Sequence, residues 1–412
     1  MRCIINNQLV LRRAPEGPLA AHIVSFAESV RKRGYAVHST HRMVLLAACF
    51  SRWLKQRRVA LRSITASQAA QYLRYRCRRV KLSSSDVAAL RYLLDYLRSE
   101  GAIPVEAKPT FRPIPAERYA RGYEEYLRES RALAEATVVN YVPFIRDFLK
   151  DRFGDGRVTL VKLKASDVVG FVQHQAPRMH LKRAKLMTSA LRSFQQFARL
   201  RGDVTLDLAA AVPVVANWSM PAIPRAIAAD QVRALLASVN RSTAIGRRDY
   251  AILLLLARLG LRAGEVVLLD LDDLDWNTGQ LRVHGKSGQR SGLPLSTEVG
   301  EAIAAYLHRG RPDSTSRRVF LRAKGPICGF RGPSTISSIV RHSLKRAGVD
   351  APTCGAHQFR HGLATEMLRH GASLAEIGDV LGHRHPQTTM IYSKVDMMAL
   401  RALALPWPGG AR

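Results

Sequence analysis

Two proline-rich segments divide this 412-residue chain into three parts, and this division limits the possible fold more than any other feature. The first segment is IPVEAKPTFRPIPA (103–116), and the second is VPVVANWSMPAIPR (212–225). Proline fixes φ and removes a backbone donor, so neither segment can continue a helix or a central strand. Elsewhere the apolar residues mostly recur at helical spacing. The sequence therefore predicts three domains, at 1–112, 113–215 and 216–412, each long enough for its own core.

The first two parts resemble each other in sequence. The string ALRYLLDYLRSEG (89–101) matches ALRSFQQFARLRG (190–202), with Ala, Leu, Arg, a later Arg and Gly in the same places. Upstream, WLKQRRVALRSITASQAAQYL (53–73) parallels FLKDRFGDGRVTLVKLKASDVVGFV (148–172), if a four-residue insertion is allowed. We interpret this similarity as the duplication of one helical module.

The two copies of this module cover about 20–103 and 117–211. In the first copy, Thr65 and Gln68 have the spacing of a capping box, which predicts a helix that starts there. The second copy has Lys164 at the position of Thr65. The corresponding helix must therefore begin with a different cap.

The sequence pattern of the third part predicts helices around a small sheet. Helices are predicted over 224–239 and 250–260 and near 298–308, 334–347, 357–370, 373–381 and 387–392. The strand candidates are LRVHG (281–285), GLPL (292–295) and RVFL (318–321). The whole chain is therefore expected to be mainly α, with a small antiparallel β-sheet in its last part (an α+β arrangement).

The charge of the chain points to a polyanionic partner. It has 64 Lys and Arg against 32 Asp and Glu, a net charge of +32. Such an excess favours nucleic acid, because contacts to phosphate are made by Lys and Arg. A codon bias towards arginine is the alternative explanation, but bias does not account for twice as many basic as acidic residues. We therefore expect a nucleic acid as the partner.

The cysteines and the apolar segments indicate a cytoplasmic protein without a zinc ribbon. The five cysteines form no C-x-x-C pair, so neither a zinc ribbon nor a disulfide framework is expected. The N-terminal residues lack the apolar core of a signal peptide. The longest apolar stretch, AILLLLA (251–257), is too short to span a bilayer. We expect a cytoplasmic protein that associates with the nucleoid and not with a membrane.

Three short polar strings in the third part suit one kind of chemistry. They are GLRAGEV (260–266), HQFRH (357–361) and LGHRHPQTTMIY (381–392). Attack on a phosphodiester without a metal needs cations that neutralise the phosphate, a group that moves protons, and a nucleophile. The residues that supply these are Arg262, Lys286, His357, Arg360, His383 and Tyr392.

In order and spacing these residues resemble the tyrosine recombinase (phage integrase) family. Its members carry an arginine in a G-L-R-x-x-E string, a lysine in a β-hairpin, an H-x-x-R helix, an L-G-H string and then a tyrosine. Here 24 residues lead from Arg262 to Lys286 and nine from His383 to Tyr392. The resemblance covers roughly 224–400. It implies the fold of the DNA breaking–rejoining enzymes, preceded by two helical SAM-like modules of the core-binding type.

The resemblance also implies a role for each residue. Tyr392 is the nucleophile that forms a 3′-phosphotyrosine link and frees a 5′-hydroxyl. Arg262 and Arg360 hold the non-bridging oxygens of the phosphate, for which the planar and always charged guanidinium is suited. His357 accepts the tyrosine proton, and its i, i+3 spacing places it on the same helix face as Arg360.

Three further positions complete the implied site. Lys286 is the general acid that protonates the departing 5′ oxygen, although Ser287 and Gln289 replace the glycine and basic residue that are more usual near it. His383 binds the phosphate, or alternatively caps a turn. Glu265 is expected to orient an arginine or a histidine rather than to act as a base.

Two other patterns invite a metal interpretation that we do not favour. His357 and His361 have i, i+4 spacing, but Gln358 stands where a zinc protease has glutamate, and no third ligand is evident. The acidic string DLDDLDW (270–276) is expected to be a solvated turn rather than a two-metal site. We expect no metal and no cofactor.

The second module occupies the place of the core-binding domain, which in this family clamps DNA opposite the catalytic domain. Its candidate DNA contacts are Arg178, Lys182, Arg183, Lys185 and Arg192. A solvated helix face is the alternative for any one of these residues. The first module is additional to the minimal family plan, and the sequence leaves open whether it contacts further DNA or another protein.

These expectations describe a site-specific recombinase or integrase that needs no ATP. The duplicated N-terminal half suggests a mobile element, through integration or transposition. The resemblance implies a homotetramer on two DNA sites, with sister recombinases as possible partners, and the tail at 397–412 could link subunits. The alternatives are a type IB topoisomerase-like enzyme that relaxes DNA, and a non-catalytic DNA-binding relative.

Overall fold

The chain folds into two compact units in the computed structural model. One unit combines Met1–Glu106 with Ala222–Arg412, and the other is Ala107–Pro221. The structure describes residues 3–5, 9–11, 14–105, 115–215, 223–285, 290–383, 385–395 and 400–401. Separate hydrophobic cores form in the first helical module, in the second helical module and in the last part of the chain.

The first module is a bundle of four helices that follows a short N-terminal hairpin. The helices are α1 (Ile23–Lys32), α2 (Val37–Gln56), α3 (Ala66–Cys77) and α4 (Ser84–Ser99). The antiparallel strands β1 (Cys3–Ile5) and β2 (Leu9–Leu11) were not predicted. The capping box at the start of α3 is confirmed. The Gln68 side chain accepts from the Thr65 N–H at 3.0 Å, and Thr65 Oγ1 accepts from the Ser67 N–H at 3.2 Å.

The second module repeats this order of helices. It contains α5 (Pro115–Glu125), α6 (Glu135–Phe153), α7 (Ala165–Gln175) and α8 (Leu181–Leu200). Short 3-10 helices precede α3 and α7 at equivalent places, Leu61–Ser63 and Leu160–Lys162. The start of α7 differs as expected. Asp167 accepts from the Lys164 N–H at 2.9 Å, but the lysine side chain cannot accept in return.

The last part of the chain combines helices with a three-stranded antiparallel sheet in the order β3–β4–β5. The strands are β3 (Leu274–Asp275), β4 (Gln280–His284) and β5 (Arg290–Pro294). The helices are α9 (Ala229–Ala237), α10 (Ala244–Arg258), α11 (Ala263–Leu268), α12 (Thr297–Arg309), α13 (Ser334–Ala347), α14 (His357–Arg369), α15 (Leu374–Val380) and α16 (Pro386–Thr389). A 3-10 helix, Met390–Val395, follows α16. The predicted class, mainly α with a small antiparallel sheet, is confirmed.

One strand prediction is wrong. The segment 318–321 makes only single bridges, from Asp270 to Arg318 and from Leu321 to Gly329, and joins no ladder. Its apolar residues are nevertheless fully buried, with Val319 at 0% and Phe320 at 1% exposure. A short apolar run of this kind signals burial without specifying a strand partner.

The described residues add two further facts. None of their helices is both long and apolar enough to cross a bilayer. Four cysteines, at positions 49, 77, 328 and 354, are free thiols.

Candidate active site

Arg262 is positioned by a turn between two helices. Gly260 ends the helical path of α10 with a φ of +61°, a conformation that glycine adopts without strain. Arg262 is then the N-cap of α11. The carboxylate of Glu265 accepts from both the backbone N–H and Nη1 of Arg262, each at 2.7 Å. Glu265 is only 7% exposed, so a buried acid holds a half-exposed guanidinium in a fixed direction.

Arg360 lies on α14 and is only 3% exposed. Its Nη1 donates to the carbonyl of Gly260 at 2.8 Å, and its Nη2 donates to the carbonyl of Leu381. Burial, with a smaller contribution from the nearby Arg262, lowers the pKa of Arg360 to about 10. The side chain therefore remains charged at neutral pH while it ties three segments of the chain together.

Both arginines line one open cavity of about 510 Å³. His383 lies on the same cavity, and Val283 and Ser291, from β4 and β5, line it as well. The cavity thus has a cationic wall facing a β-hairpin. Lys286 falls between these strands in sequence but lies outside the described residues.

His383 follows a tight turn at the end of α15. Gly382 has a φ of +58°, and the His383 N–H donates to the carbonyl of Gly378 at 2.8 Å. The His383 Nδ1 lies 2.7 Å from the Thr389 hydroxyl. Burial, reinforced by Arg360 and Arg262, lowers the pKa of His383 to about 4. The ring is therefore neutral at pH 7, and its Nδ1 contact fixes its orientation.

Tyr392 lies in the 3-10 helix after α16 and is only 1% exposed. It is not among the side chains that line the cavity. Its hydroxyl lies 3.0 Å from Nδ1 of His361. Burial raises the pKa of Tyr392, although the charges of Arg360 and Arg262 act in the opposite direction. The phenol is thus protonated and enclosed in this arrangement.

His361 is the contact that sequence reasoning missed. The sequence singled it out only as a possible metal partner of His357, whereas the structure places it between His357 and Tyr392. The two histidine rings meet edge to face at 4.5 Å, and His361 and Tyr392 meet at 5.7 Å. Burial lowers the pKa of both histidines, that of His361 to about 4. The only available signal was that His361 lies one helical turn after His357.

No cluster of three or more potential metal-binding side chains occurs among the described residues. In the acidic string at 270–276, each carboxylate has another partner. Asp270 contacts Arg318 at 3.1 Å, and Asp273 contacts His284 at 2.7 Å. Asp272 pairs with Arg317, and Asp275 lies 3.8 Å from Arg282. Asp273 is only 6% exposed, so part of this turn is a structural joint rather than a solvated surface.

The candidate DNA contacts of the second module separate into two kinds. Four are exposed: Arg178, Lys182, Arg183 and Lys185. Arg192 is half-buried, and its Nη2 donates to the carbonyls of Val212 and Pro213 at 3.0 and 3.1 Å. The structure thus leaves the first four available and gives Arg192 an internal contact.

Comparison with known proteins follows the same outline. The phage integrase family matches residues 225–398, and the phage integrase N-terminal SAM-like domain matches residues 120–202. A protein of Sinorhizobium fredii that carries the name integrase/recombinase y4rA is 57% identical over the full length of both chains. Tyrosine recombinase XerD of Mycobacterium tuberculosis is 30% identical over 70% of this chain and 96% of its own.

A solved structure supports the fold. The XerH site-specific recombinase, bound to a palindromic difH substrate, aligns with a TM-score of 0.54 at 16% identity. The alignment covers 69% of this chain and 83% of XerH. At this level of identity, the likeness concerns the path of the backbone and not individual side chains.

Proposed function

Because this chain belongs to the phage integrase family of tyrosine recombinases, enzymes that cut and rejoin DNA strands, we propose that it recombines double-stranded DNA at specific sites through Tyr392. One observation carries the assignment of the site. Arg262 and Arg360 converge on one cavity, with His383 beside them. Two fixed guanidinium groups match the charge and the fork geometry of a phosphodiester.

The chemical step follows from these groups. The Tyr392 oxygen attacks the phosphorus while the bond from phosphorus to the 5′ oxygen breaks, which leaves a 3′-phosphotyrosine and a 5′-hydroxyl. Arg262 and Arg360 stabilise the charge that develops on the non-bridging oxygens. On the resemblance alone, we assign to Lys286 the role of general acid, which donates a proton to the leaving 5′ oxygen. Attack by a different 5′-hydroxyl reverses the step and joins new partners without ATP.

The Tyr392 hydroxyl already has a hydrogen-bond partner on α14. His361 is neutral at pH 7 and lies within hydrogen-bond distance of the Tyr392 hydroxyl. His357, the acceptor that the resemblance implies, is an exposed residue whose ring meets that of His361 edge to face at 4.5 Å. We propose that His361 holds Tyr392 in its enclosed position. Once the tyrosine has moved, His357 accepts its proton. Since Tyr392 is 1% exposed, DNA binding must bring it into the cavity before it can attack.

The larger assembly and the biological role are also proposals. We retain the domains 1–112, 113–215 and 216–412, which the three separate cores support. The family resemblance supports a homotetramer on two DNA sites at the nucleoid. The name of the Sinorhizobium fredii relative, integrase/recombinase, supports integration or recombination, and the mobile-element role rests on the duplicated N-terminal half.

A nicked suicide substrate tests the chemistry. Duplexes that tile the DNA flanking the gene, each nicked near the candidate cleavage position, should yield a denaturation-resistant protein–DNA adduct with the unchanged protein. Tyr392→Phe should bind the same duplex and form no adduct. If Tyr392→Phe still forms the adduct, or if no tile yields one while binding persists, the assignment of Tyr392 is wrong.

A second measurement separates recombination from topoisomerase activity, which shares this chemistry. Two copies of a cleaved site on one supercoiled plasmid should yield recombinant joints. Relaxation of the plasmid without recombinant joints would instead favour the topoisomerase-like alternative.

A further inference from the structure

The first module contains a long stretch without acidic residues. Between Glu28 and Asp86 there are 14 Lys and Arg and no Asp or Glu. The second module is much better balanced, with 17 basic and 11 acidic residues over 115–215, against 16 and five over 14–105. Yet the match to the phage integrase N-terminal domain begins only at residue 120. The strongest local excess of positive charge therefore lies outside the modules that the family describes.

The structure leaves most of this charge unpaired. Glu16 is taken by Lys55 at 2.8 Å, and Asp86 is approached by Arg42 and Arg76 at 3.8 and 3.9 Å. Ten exposed side chains of this stretch make no ion pair with any residue that the structure describes. Three of them, Arg31, Lys32 and Arg33, lie at the end of α1, and seven lie at the C-terminal ends of α2 and α3 or in the segment between these helices: Arg57, Arg58, Arg62, Arg74, Arg78, Arg79 and Lys81. We call these seven residues, with Arg52 and Arg76, the α2–α3 basic surface.

A groove of about 290 Å³ organises this surface between α2 and α3. Aromatic rings hold two of the exposed arginines in place. Arg57 lies over Trp53 at 4.8 Å, and Arg79 lies over Tyr75 at 4.7 Å. A guanidinium stacked on a ring keeps its N–H edges free to donate, and it loses less freedom when it binds an anion.

Two arginines at the groove also have an Nε donor without a hydrogen-bond acceptor among the described residues, although Arg76 Nε lies 3.9 Å from the Asp86 carboxylate. The Nε atoms of Arg52 and Arg76 are buried and donate to no acceptor within the described structure. A buried donor without an acceptor is costly, so an acceptor supplied by a ligand would be favourable. Cations near helix C-termini are stabilised by the helix dipole, but that effect is confined to the last turn. It does not explain Arg62 or the absence of acids.

We propose that the α2–α3 basic surface binds the phosphate backbone of a second stretch of double-stranded DNA, other than the one at the catalytic cavity. Single-stranded nucleic acid is usually bound by bases that stack on open aromatic faces. Here Trp53 is only 4% exposed, and Arg79 covers Tyr75. The surface therefore suits phosphates and not bases.

The first module is joined to the catalytic part by backbone contact, within one compact unit. The Ile327 N–H donates to the carbonyl of Arg33 at 2.8 Å. A Cβ on Gly34 would lie 2.2 Å from the Ile327 side chain, and one on Gly325 would lie 2.8 Å from the Tyr35 backbone. Only glycine permits so close an approach. DNA on the α2–α3 basic surface is therefore held at a fixed place relative to the cavity.

The test uses the full chain and a random-sequence duplex of about 60 base pairs, because phosphate contacts are read as a dependence of affinity on salt. The surface variant is Arg74→Gln/Arg78→Gln/Arg79→Gln. The control, Arg31→Gln/Lys32→Gln/Arg91→Gln, removes the same charge from exposed residues away from the groove. The three control residues lie near one another at the end of α1. Arg31 and Lys32 are its last residues, and Arg91 adjoins Tyr92, whose hydroxyl contacts Ser29 of α1.

The surface variant should lower the slope of log affinity against log salt by roughly two to three, about 0.9 for each lost phosphate contact. The control should lower it by less than about one. Arg74→Lys/Arg78→Lys/Arg79→Lys should keep the slope of the unchanged protein. Equal slopes for the surface variant and the control would overturn the proposal. So would a loss seen only with single-stranded DNA or RNA. The unfolding temperature of each variant shows whether it is folded. Tyr392→Phe should keep the slope of the unchanged protein, so a failure of the proposed cleavage chemistry can be told apart from a failure of DNA binding at this surface.

Discussion

The arginines of the catalytic cavity and those of the first module share a side chain but have opposite surroundings. Arg360 is 3% exposed and is held by two carbonyls, whereas Arg74 and Arg78 are exposed and have no ion pair within the described structure. A charge fixed in a low-dielectric site acts strongly over a short distance, and an exposed one is screened by salt. The comparison suggests that the first kind determines rate and the second determines affinity.

The two helical modules make the same point within one architecture. In the second module, acids match the arginines: Arg146 lies 2.9 Å from Glu117, and Arg152 lies 3.0 Å from Asp167. In the first module, comparable arginines at the ends of α2 and α3 lack such partners. The same order of helices can thus carry a surface whose arginines are largely paired with acids or one whose arginines are left unpaired.

The largest effect is expected from Arg360→Lys. Lysine keeps the charge but loses the planar fork, so the donor to phosphate is no longer fixed by Gly260 and Leu381. The single-turnover rate of adduct formation should fall roughly 100- to 1000-fold, as for loss of one preorganised donor. The salt dependence of DNA binding should be unchanged. Arg341→Lys, on an exposed residue, is the control. A rate near that of the unchanged protein would contradict the view that the buried arginines determine the rate and the exposed ones the affinity for DNA.

A smaller effect is expected from Glu265→Gln. The carboxylate makes a charge-assisted contact to the Arg262 guanidinium, which glutamine would replace with a neutral one. Such contacts contribute about 1.5–3 kcal/mol, so the adduct should form roughly 10- to 100-fold more slowly. The matched control is Glu298→Gln, whose partner Arg258 is an exposed arginine on the surface. Equal rates for the two variants would show that Glu265 does not position Arg262.

Much of this fold was predictable because helical periodicity and glycine stops are local signals. The helix at 334–347 has the predicted bounds, and Gly260 ends the helical path of α10 where expected. The N-terminal hairpin was missed because each of its strands has only three residues. The segment 318–321 was read as a strand because its residues are apolar, although their burial comes from packing and not from a ladder.

The candidate site divides in the same way. The motif strings and their resemblance to the family selected Arg262, Arg360 and His383, which the structure brings to one cavity. They could not show that His361 contacts Tyr392, because that contact joins residues 31 positions apart on different helices. Nor could they show the contact of Arg33 with Ile327, since nothing local in either segment marks the other.

A further effect concerns two half-buried histidines of the site and extends the comparison to pH. The pKa values of His361 and His383 are lowered to about 4 in the folded chain, chiefly by burial, against about 6.5 for a free histidine. Between these values the unfolded chain binds up to two more protons than the folded chain. The free energy of unfolding should therefore fall as the pH is lowered from about 6.5 towards 4.

Urea unfolding at several pH values measures this dependence. His361→Gln/His383→Gln should flatten it over that window, because neither glutamine can take up a proton. His38→Gln/His308→Gln, at two exposed positions, should leave it as steep as in the unchanged protein. If both pairs flatten the dependence equally, burial at the site does not set the protonation of its histidines. Histidines at exposed positions and in the site would then contribute equally to the pH dependence of stability. The contrast between exposed and buried arginines would not hold for histidines.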